Sequence, residues 1–329
     1  MQPHFRNFCR GNFQDWLEVM LEPKCNGNCF FCIEKNGFKP KPIDWLTLAG
    51  KILKTEKNNI LLLGGEPTLY PDLKNLIEAI KYNNRNIYIT TNGGKLMIEN
   101  FAKDNLSSIT GINISIHHYD LERNRRITGI SLIEKPLINV IKWFKSKNIT
   151  VRINCNCIDG EIGSKEEILE FINIAKKWGV DSVRFAELKN NDKFIDLAKI
   201  FDYQYGLNDD PFMYGCYQDV IINDMPVNFR QLCGMQTNKR AKPVDPKQIL
   251  KDVLYCDGNI YKGWQTIKKE KIMGKKSNKA MQAMLEAILE QVALGDITVK
   301  SAAKCLLPLI VSSEKEETQS TETGSGCVY

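Results

Sequence analysis

Between residues 16 and 189, short apolar runs alternate with amphipathic stretches, and this repeat constrains the fold more than any other feature. The stretches between the runs carry apolar residues at i, i+3, i+4 and i+7, as amphipathic helices do. The six runs are WLEVML, NNILLL, RNIYIT, GINISI, ITVRIN and VDSVRFAEL. Six strands separated by five helices predict βαβ units and a parallel sheet with helices outside it. Because a closed barrel needs eight units, we expect an α/β fold of the partial (β/α)6 TIM-like barrel type.

Composition indicates the compartment of the protein and argues against some classes of function. No apolar run approaches the ~20 residues of a membrane span, and the N-terminus lacks the basic and apolar parts of a secretory signal. We therefore expect a cytoplasmic protein. The net charge is +6, but the lysines are spread along the chain rather than grouped, which argues against a nucleic-acid partner. Eleven cysteines in such a protein indicate metal binding or buried thiols rather than disulfides.

The stretch EPKCNGNCFFC, residues 22–32, places Cys25, Cys29 and Cys32 on one loop after the first predicted strand. The spacing is too compact for most zinc folds, although a zinc site completed by one of the three histidines is an alternative. Thiolates at this spacing can bind three irons of a [4Fe–4S] cube. The fourth iron would then have no protein ligand and could accept a chelating small molecule, as catalytic sites do.

This Cys-x-x-x-Cys-x-aromatic-Cys loop resembles the signature of the radical S-adenosylmethionine (radical SAM) superfamily. Three further stretches resemble motifs of that family and follow in order at strand ends: GGEP at 64–67, ITTNGG at 89–94 and NISIHH at 113–118. The resemblance implies a [4Fe–4S] cluster whose open iron is chelated by the methionyl amine and carboxylate of SAM. It also implies reductive cleavage of SAM to a 5′-deoxyadenosyl radical, and an external one-electron donor of the flavodoxin or ferredoxin type.

The same resemblance implies which residues contact SAM. The chemistry of some of them agrees, because glycines permit close backbone approach, Pro67 fixes a turn and Glu66 can accept from an ammonium group. Taken singly, such residues are equally typical of ordinary turns and helix caps. The implied SAM contacts are Phe31, Gly64, Gly65, Glu66, Pro67, Asn92, Ser115 and Lys189.

Candidate substrate contacts lie near the same strand ends. Arg125 and Arg126 belong to ERNRRITG, residues 122–129, which is either a solvated loop or an anion clamp for a phosphorylated substrate or a peptide carboxylate. The full set is Thr91, Arg125, Arg126, Arg152 and Arg184.

A narrower resemblance is to the molybdenum cofactor biosynthesis protein A family, the GTP-cyclising radical SAM enzymes. RRITGI, ITVRINCNCIDG and GVDSVRFAELK resemble its middle part, and Arg152 and Arg184 match its basic positions. However, Glu18 and Leu61 stand where that family has arginines for the GTP phosphates, and its second-cluster cysteine pattern and Gly-Gly tail are absent. A buried Glu18 would repel a triphosphate. We therefore expect the shared scaffold without the GTP reaction, and keep a GTP cyclase as an alternative.

Five other cysteines carry weaker predictions. Cys216, Cys233 and Cys256 either hold an auxiliary cluster or are buried thiols, and their wide spacing favours buried thiols. Cys155 and Cys157 lie on the fifth predicted strand, where we expect one of the two side chains to face inward.

These patterns predict an enzyme whose substrate class stays open. One possibility is modification of a peptide or protein, and the other is rearrangement of a nucleotide or small anionic metabolite. The alternative from a different functional class is an Fe–S protein without radical chemistry. The GGEP motif disfavours this alternative.

The sequence divides into five predicted segments. These are an N-terminal segment at 1–15, the barrel core at 16–190, a C-terminal α+β extension covering the active site at 191–270, a helical segment at 271–312 and a disordered tail at 313–329.

Overall fold

A computed structural model of the protein describes residues 15–32, 35, 39–81, 84–188, 192–201, 217–230 and 252–262. The described residues all belong to one compact unit. Predictions made for residues 1–14, for the helical segment and for the tail lie outside the described residues. The same holds for Lys189, Cys216 and Cys233.

All six predicted strands are present, and they pair in parallel in chain order. Leu17 lies opposite Ile60 and Ile60 opposite Ile87, so the carboxyl ends of the strands meet along one edge of the sheet. The strands are β1 Trp16–Met20, β2 Asn59–Leu63, β3 Asn86–Thr91, β4 Gly111–Ser115, β5 Thr150–Asn156 and β6 Ser182–Ala186. The expected α/β fold with a parallel sheet is confirmed.

Each of the five connections between these strands contains at least one helix. Ser164 and Glu167 form a capping box, in which each side chain accepts from the backbone N–H of the other residue. A short helix also follows β6. The helices are α1 Trp45–Leu53, α2 Leu73–Ile80, α3 Phe101–Asn105, α4 Leu121–Thr128, α5 Glu134–Ser146, α6 Lys165–Trp178 and α7 Leu197–Phe201.

Two hairpins lengthen the sheet, one at each edge. β7 Tyr217–Ile222 and β8 Met225–Arg230 form the first hairpin, and β8 pairs in parallel with β6. β9 Asp252–Leu254 and β10 Ile260–Lys262 form the second, and β9 pairs in parallel with β1. The second turns at Asp257-Gly258, a residue pair that is typical of hairpin turns. The described part of the predicted C-terminal extension therefore belongs to the main sheet, and the covering role of this extension stays a prediction.

Side chains alternate between the two faces of the sheet. Residues such as Leu17, Ile112 and Val183 pack against the helices in the main core. The other face carries a second apolar cluster at β1 to β3, where Met20, Leu61, Leu63 and Tyr88 pack with Val253 and Tyr255, and it also holds the buried Glu18. At β4 to β8 this inner face carries polar side chains instead, namely Asn113, Arg152, Arg184 and Asn228. In the described parts of the chain, no helix has the length and apolarity to cross a membrane.

Candidate functional site

The cysteine loop crosses the carboxyl-terminal ends of the strands and is bound there by backbone hydrogen bonds. Its first part is bound to the turn after β2, because Gly65 N–H donates to Glu22 O at 3.1 Å and Glu66 N–H donates to Lys24 O at 2.8 Å. Its middle is bound to the end of α4, where Asn28 N–H donates to Thr128 O at 2.7 Å. Two segments that are distant in sequence therefore fix the loop.

The three cysteines of the loop are close enough to affect one another. All are free thiols, with Cys25 exposed and Cys29 and Cys32 half-buried. Desolvation raises the pKa of Cys29 to about 11, with further increases from the charges of Cys32 and Cys25. The pKa of Cys25 is also raised, first by desolvation and then by Glu66 and Cys32, while hydrogen bonds from Gly27 and Asn92 lower it. The protein thus makes the thiolates of Cys25 and Cys29 costly, a cost that bound cationic iron would offset.

The thiols suit a cube better than a single ion. Among the residues that the structure describes, no three His, Cys, Asp or Glu side chains converge enough to hold one metal ion. A cube is bound through three different irons, so its thiolates need not converge on one point. Three adjacent soft ligands on a loop that is held by its backbone therefore fit a [4Fe–4S] cluster.

Glu66 connects the turn after β2 to the end of β3. Its buried carboxylate accepts at Oε1 from the Thr68 N–H at 3.1 Å, the Thr68 hydroxyl at 2.6 Å and the Thr91 hydroxyl at 2.6 Å. Oε2 accepts from the Asn92 N–H at 2.7 Å. Pro67 follows and begins the 3₁₀ turn Pro67–Leu69, which Glu66 caps. Oε2 keeps more acceptor capacity than Oε1, so an ammonium group could be accepted there.

The two glycines of GGEP are required by the cysteine loop. A Cβ at Gly65 would lie 2.3 Å from Lys24 O, and a Cβ at Gly64 would lie 3.0 Å from Glu22 O. Gly64 also has a φ of +151°. Close approach by backbone was the reason to expect glycine here, but the group that approaches in this structure is the cysteine loop.

The turn after β3 lies next to the same loop. Asn92 Nδ2 donates to Asn26 Oδ1 at 2.8 Å, and Asn92 Oδ1 accepts from Gly94 N–H at 2.9 Å. Thr91, a candidate substrate contact, is buried, and its hydroxyl bonds Glu66 and accepts from Gly93 N–H at 3.1 Å. The structure thus places Thr91 at the end of β3, where its hydroxyl holds the turns after β2 and β3.

Phe31 packs against a histidine that sequence reasoning left without a role. The rings of Phe31 and His117 meet edge to face, with centroids 4.9 Å apart. His117 is buried just after β4, its Nδ1 accepts from Asn156 N–H at 3.0 Å, and burial lowers its pKa to about 4. The ring is therefore neutral with its proton on Nε2. Ser115, the last residue of β4, lies two residues before it.

The four candidate arginines fall into two pairs. Arg152 on β5 and Arg184 on β6 are buried on the inner face of the sheet. Arg184 Nε donates to Asn228 Oδ1 at 2.8 Å, and Asn228 Nδ2 donates to Asp219 Oδ1 at 2.6 Å. In contrast, the other two arginines are exposed on α4.

The exposed pair is partly neutralised. Arg125 forms a two-pronged ion pair with Glu122 at 2.6 and 2.8 Å, and Arg126 lies beside it on the helix surface. On the inner face, Glu18 is buried, as the repulsion argument assumed, and it pairs in register with Leu61. The inner face at β1 and β2 therefore lacks the arginines of the GTP-cyclising family.

Three of the five other cysteines lie in the described residues, and all three are buried. Cys155 and Cys157 are both buried in the main core, so the expectation that only one faces inward was wrong, because residues two apart on a strand share a face. Cys256 is buried, and its Sγ lies 3.4 Å from Pro40 O. Since Cys216 and Cys233 lie outside the described residues, the auxiliary cluster stays a prediction.

Comparison with known proteins places this fold and cysteine loop in one class. The family model described as "Radical SAM superfamily" matches residues 19–172, which contain all four motifs. Over these residues the chain matches the radical SAM superfamily.

Two curated relatives are similar to about half of the chain. The chain is 28% identical over 178 residues to a "Probable GTP 3′,8-cyclase" of Saccharolobus islandicus, covering 52% of this chain and 56% of that protein. It is 31% identical over 184 residues to the "GTP 3′,8-cyclase" of Clostridium perfringens, covering 53% and 55%. The chain thus spans about half the length of the curated relatives it matches.

Among solved structures, SuiB of Streptococcus suis bound to S-adenosylmethionine matches with a TM-score of 0.54 at 19% identity. The match covers 79% of this chain and 64% of that one. At this identity the likeness shows the shared fold.

Proposed function

We propose that the protein is a radical SAM enzyme that holds a [4Fe–4S] cluster through Cys25, Cys29 and Cys32. When bound, the cluster supplies one electron to SAM, whose reductive cleavage gives a 5′-deoxyadenosyl radical that abstracts hydrogen from a substrate. One observation carries this proposal. The cysteine loop is hydrogen-bonded to both motif turns, through Glu66 N–H to Lys24 O and through Asn92 to Asn26.

The chain's own residues hold the reactants in place. Backbone bonds to Glu22, Lys24 and Asn28 fix the loop before any cofactor binds, so less order must be gained on binding. Glu66 Oε2 is the acceptor for the SAM ammonium group, and Phe31 and Ser115 provide contacts at the ends of neighbouring strands. Gly64, Gly65, Pro67, Asn92 and Lys189 complete the SAM contacts that the family resemblance implies.

The remaining requirements are exclusion of water and a source of electrons. We assign the exclusion of water to the segment 191–270, because a carbon radical abstracts hydrogen from any donor that reaches it. The reductant is an external one-electron donor of the flavodoxin or ferredoxin type.

Anaerobic reconstitution with iron and sulfide, followed by dithionite and SAM, tests this function. We expect 5′-deoxyadenosine from the wild type, and neither cluster nor product from Cys29→Ala. Cys155→Ala is the control, since it removes a thiol that is buried in the main core, and it should keep the iron content and product of the wild type. A loaded cluster that yields no 5′-deoxyadenosine would exclude radical SAM chemistry.

For the substrate, we propose a small anionic molecule bound over the inner face. Buried Arg152 and Arg184 support an anion, since a buried guanidinium favours a negative partner. The curated relatives named GTP 3′,8-cyclase suggest a nucleotide, whereas buried Glu18 argues against a triphosphate beside β1. A nucleoside monophosphate or a small carboxylate satisfies both observations.

Hydrogen transfer provides the test of this substrate class. Incubation with deuterated nucleoside monophosphates, small carboxylates or peptides should move deuterium into 5′-deoxyadenosine only with the true class. Arg184→Met should raise the substrate concentration needed for half-maximal transfer by about tenfold or more, as loss of a charged hydrogen bond does. Lys176→Met, at an exposed ion pair with Asp224, is the control. Transfer from a peptide alone would contradict the proposal.

A further inference from the structure

Asn92 lies between the turn after β3 and Cys25, and its amide orientation is fixed. Its Oδ1 accepts from Gly94 N–H at 2.9 Å, while its Nδ2 donates to Asn26 Oδ1 at 2.8 Å. The same Nδ2 lies 3.9 Å from Cys25 Sγ. Because only the oxygen can accept from Gly94 N–H, a flipped amide is excluded and the NH₂ group must face Asn26 and Cys25.

Cys25 receives a second donor from its own loop, the Gly27 N–H at 3.3 Å from Sγ. Hydrogen bonds to a sulfur ligand stabilise negative charge on it. Reduction of a cluster adds one negative charge, which the ligand sulfurs share, so N–H donors to sulfur raise the reduction potential. The donors at Cys25 therefore act on the same quantity that decides whether an external donor can reduce the cluster.

The glycine at position 94 leaves room for the contact between Asn26 and Asn92. A Cβ at Gly94 would lie 3.2 Å from both Asn26 Nδ2 and Asn92 Oδ1, tighter than an ordinary contact. Asn92 N–H also donates to Glu66 Oε2 at 2.7 Å, so the backbone of Asn92 is held independently of its side chain. A change to the side chain can therefore remove the contact with Cys25 without releasing the turn.

We propose that Asn92, held by Asn26, is a positioning residue that donates to the Cys25 ligand and raises the reduction potential of the cluster. This inference rests on the proposed function, since it requires Cys25 to bind iron. It gives the Asn92 side chain a role in addition to the SAM contact that the family resemblance implies, because its Oδ1 and Nδ2 are both held within the protein.

The test is the midpoint potential of the reconstituted full chain, measured by redox titration with electron paramagnetic resonance of the reduced cluster. Asn92→Ser keeps a hydroxyl that can accept from Gly94 N–H but removes both amide hydrogens. We expect the reduction equilibrium to shift about tenfold towards the oxidised state, which is ~59 mV for one electron. Asn26→Ala, at an exposed position, should shift it less in the same direction.

Asn28→Ala is the matched control, since Asn28 lies on the same loop and its side chain accepts from Lys35 Nζ at 2.7 Å. It should keep the wild-type potential. A fully loaded Asn92→Ser with the wild-type potential overturns the proposal, as does an equal shift in Asn28→Ala. If Asn92→Ser loads no cluster, Asn26→Ala decides: a lowered potential supports the proposal and an unchanged one overturns it.

These outcomes are separate from the test of function. A wild type that produces 5′-deoxyadenosine, with variants of unchanged potential, removes only the role of Asn92. A wild type that loads the cluster and produces none removes the proposed function instead.

Discussion

At the scale of single residues, the site depends on backbone contact between the cysteine loop and the turn after β2. Gly65 carries this contact, because its missing side chain leaves room for the carbonyl of Lys24. Backbone atoms on both sides of the contact are hydrogen-bonded, so neither side can yield as a flexible side chain would. The steric requirement at Gly65 is therefore strict.

Gly65→Ala should displace the cysteine loop. A Cβ at 2.3 Å from a carbonyl oxygen must move one of the two segments, and overpacking of this kind costs about 1–3 kcal/mol. We expect a lower Tm and at least a severalfold loss of bound iron, measured by thermal unfolding and iron analysis. Gly50→Ala is the control, since a Cβ there meets nothing within 4 Å in α1 and should stabilise by about 0.5–1 kcal/mol. Full iron loading of Gly65→Ala would contradict the role given to this contact.

His117 predicts a dependence of stability on pH. Burial lowers its pKa from 6.5 to about 4, so folding favours the neutral ring. The stability it contributes is therefore full above pH 6.5 and is lost as the pH falls from 6.5 through 4. The loss approaches about 3 kcal/mol at pH 4. Urea unfolding at several pH values should show a steeper acid loss for the wild type than for His117→Gln, and equal slopes would rule out a buried neutral histidine.

At the scale of elements, periodicity predicted the helices and the six central strands because their signals are local. α6 illustrates this, since Ser164, Glu167 and the apolar spacing of Ile168 and Phe171 all lie within one segment. The position of β9 in the main sheet could not be predicted in this way. This strand has three residues, and it is a strand because it pairs with β1, more than 200 residues earlier in the chain.

At the site, too, local signals were predictable from the sequence and contacts between distant residues were not. The motifs predicted which loops meet, because parallel strands bring their carboxyl ends to one edge. They could not predict that GGEP packs on the cysteine loop or that His117 supports Phe31, since these contacts join residues 41 and 86 positions apart. A buried polar residue directly after β4 was the available signal for His117.

The capping box of α6 provides a prediction at this scale. Ser164→Ala removes the acceptor for Glu167 N–H, which typically costs about 1 kcal/mol. We expect a lower Tm with unchanged iron loading, because the backbone bonds that hold the described part of the cysteine loop come from the turn after β2 and the end of α4. Ser107→Ala, at an exposed position, should leave both unchanged. A loss of iron in Ser164→Ala would show that the site depends on the helix after all.

At the scale of the whole molecule, the cysteine loop joins the turns after β2 and β3 to the end of α4. Its bonds to Glu66, Asn92 and Thr128 make it a shared part of several strand ends. A ligand that orders the loop should therefore also order the segments bound to it, since binding to the folded state stabilises whatever it contacts. In contrast, the buried residues of α6 pack in the main core.

Cluster binding should therefore protect backbone amides at this edge of the sheet against hydrogen exchange. Hydrogen exchange of the apo and reconstituted protein, compared under anaerobic conditions, should show slower exchange after reconstitution in residues 24–32, 64–68 and 91–94. Residues 167–178 of α6 serve as the internal control and should not change. Cys29→Ala, treated identically, should show the apo pattern throughout. Protection confined to the cysteine loop would show that the hydrogen bonds to Glu66 and Asn92 do not transmit order between these segments.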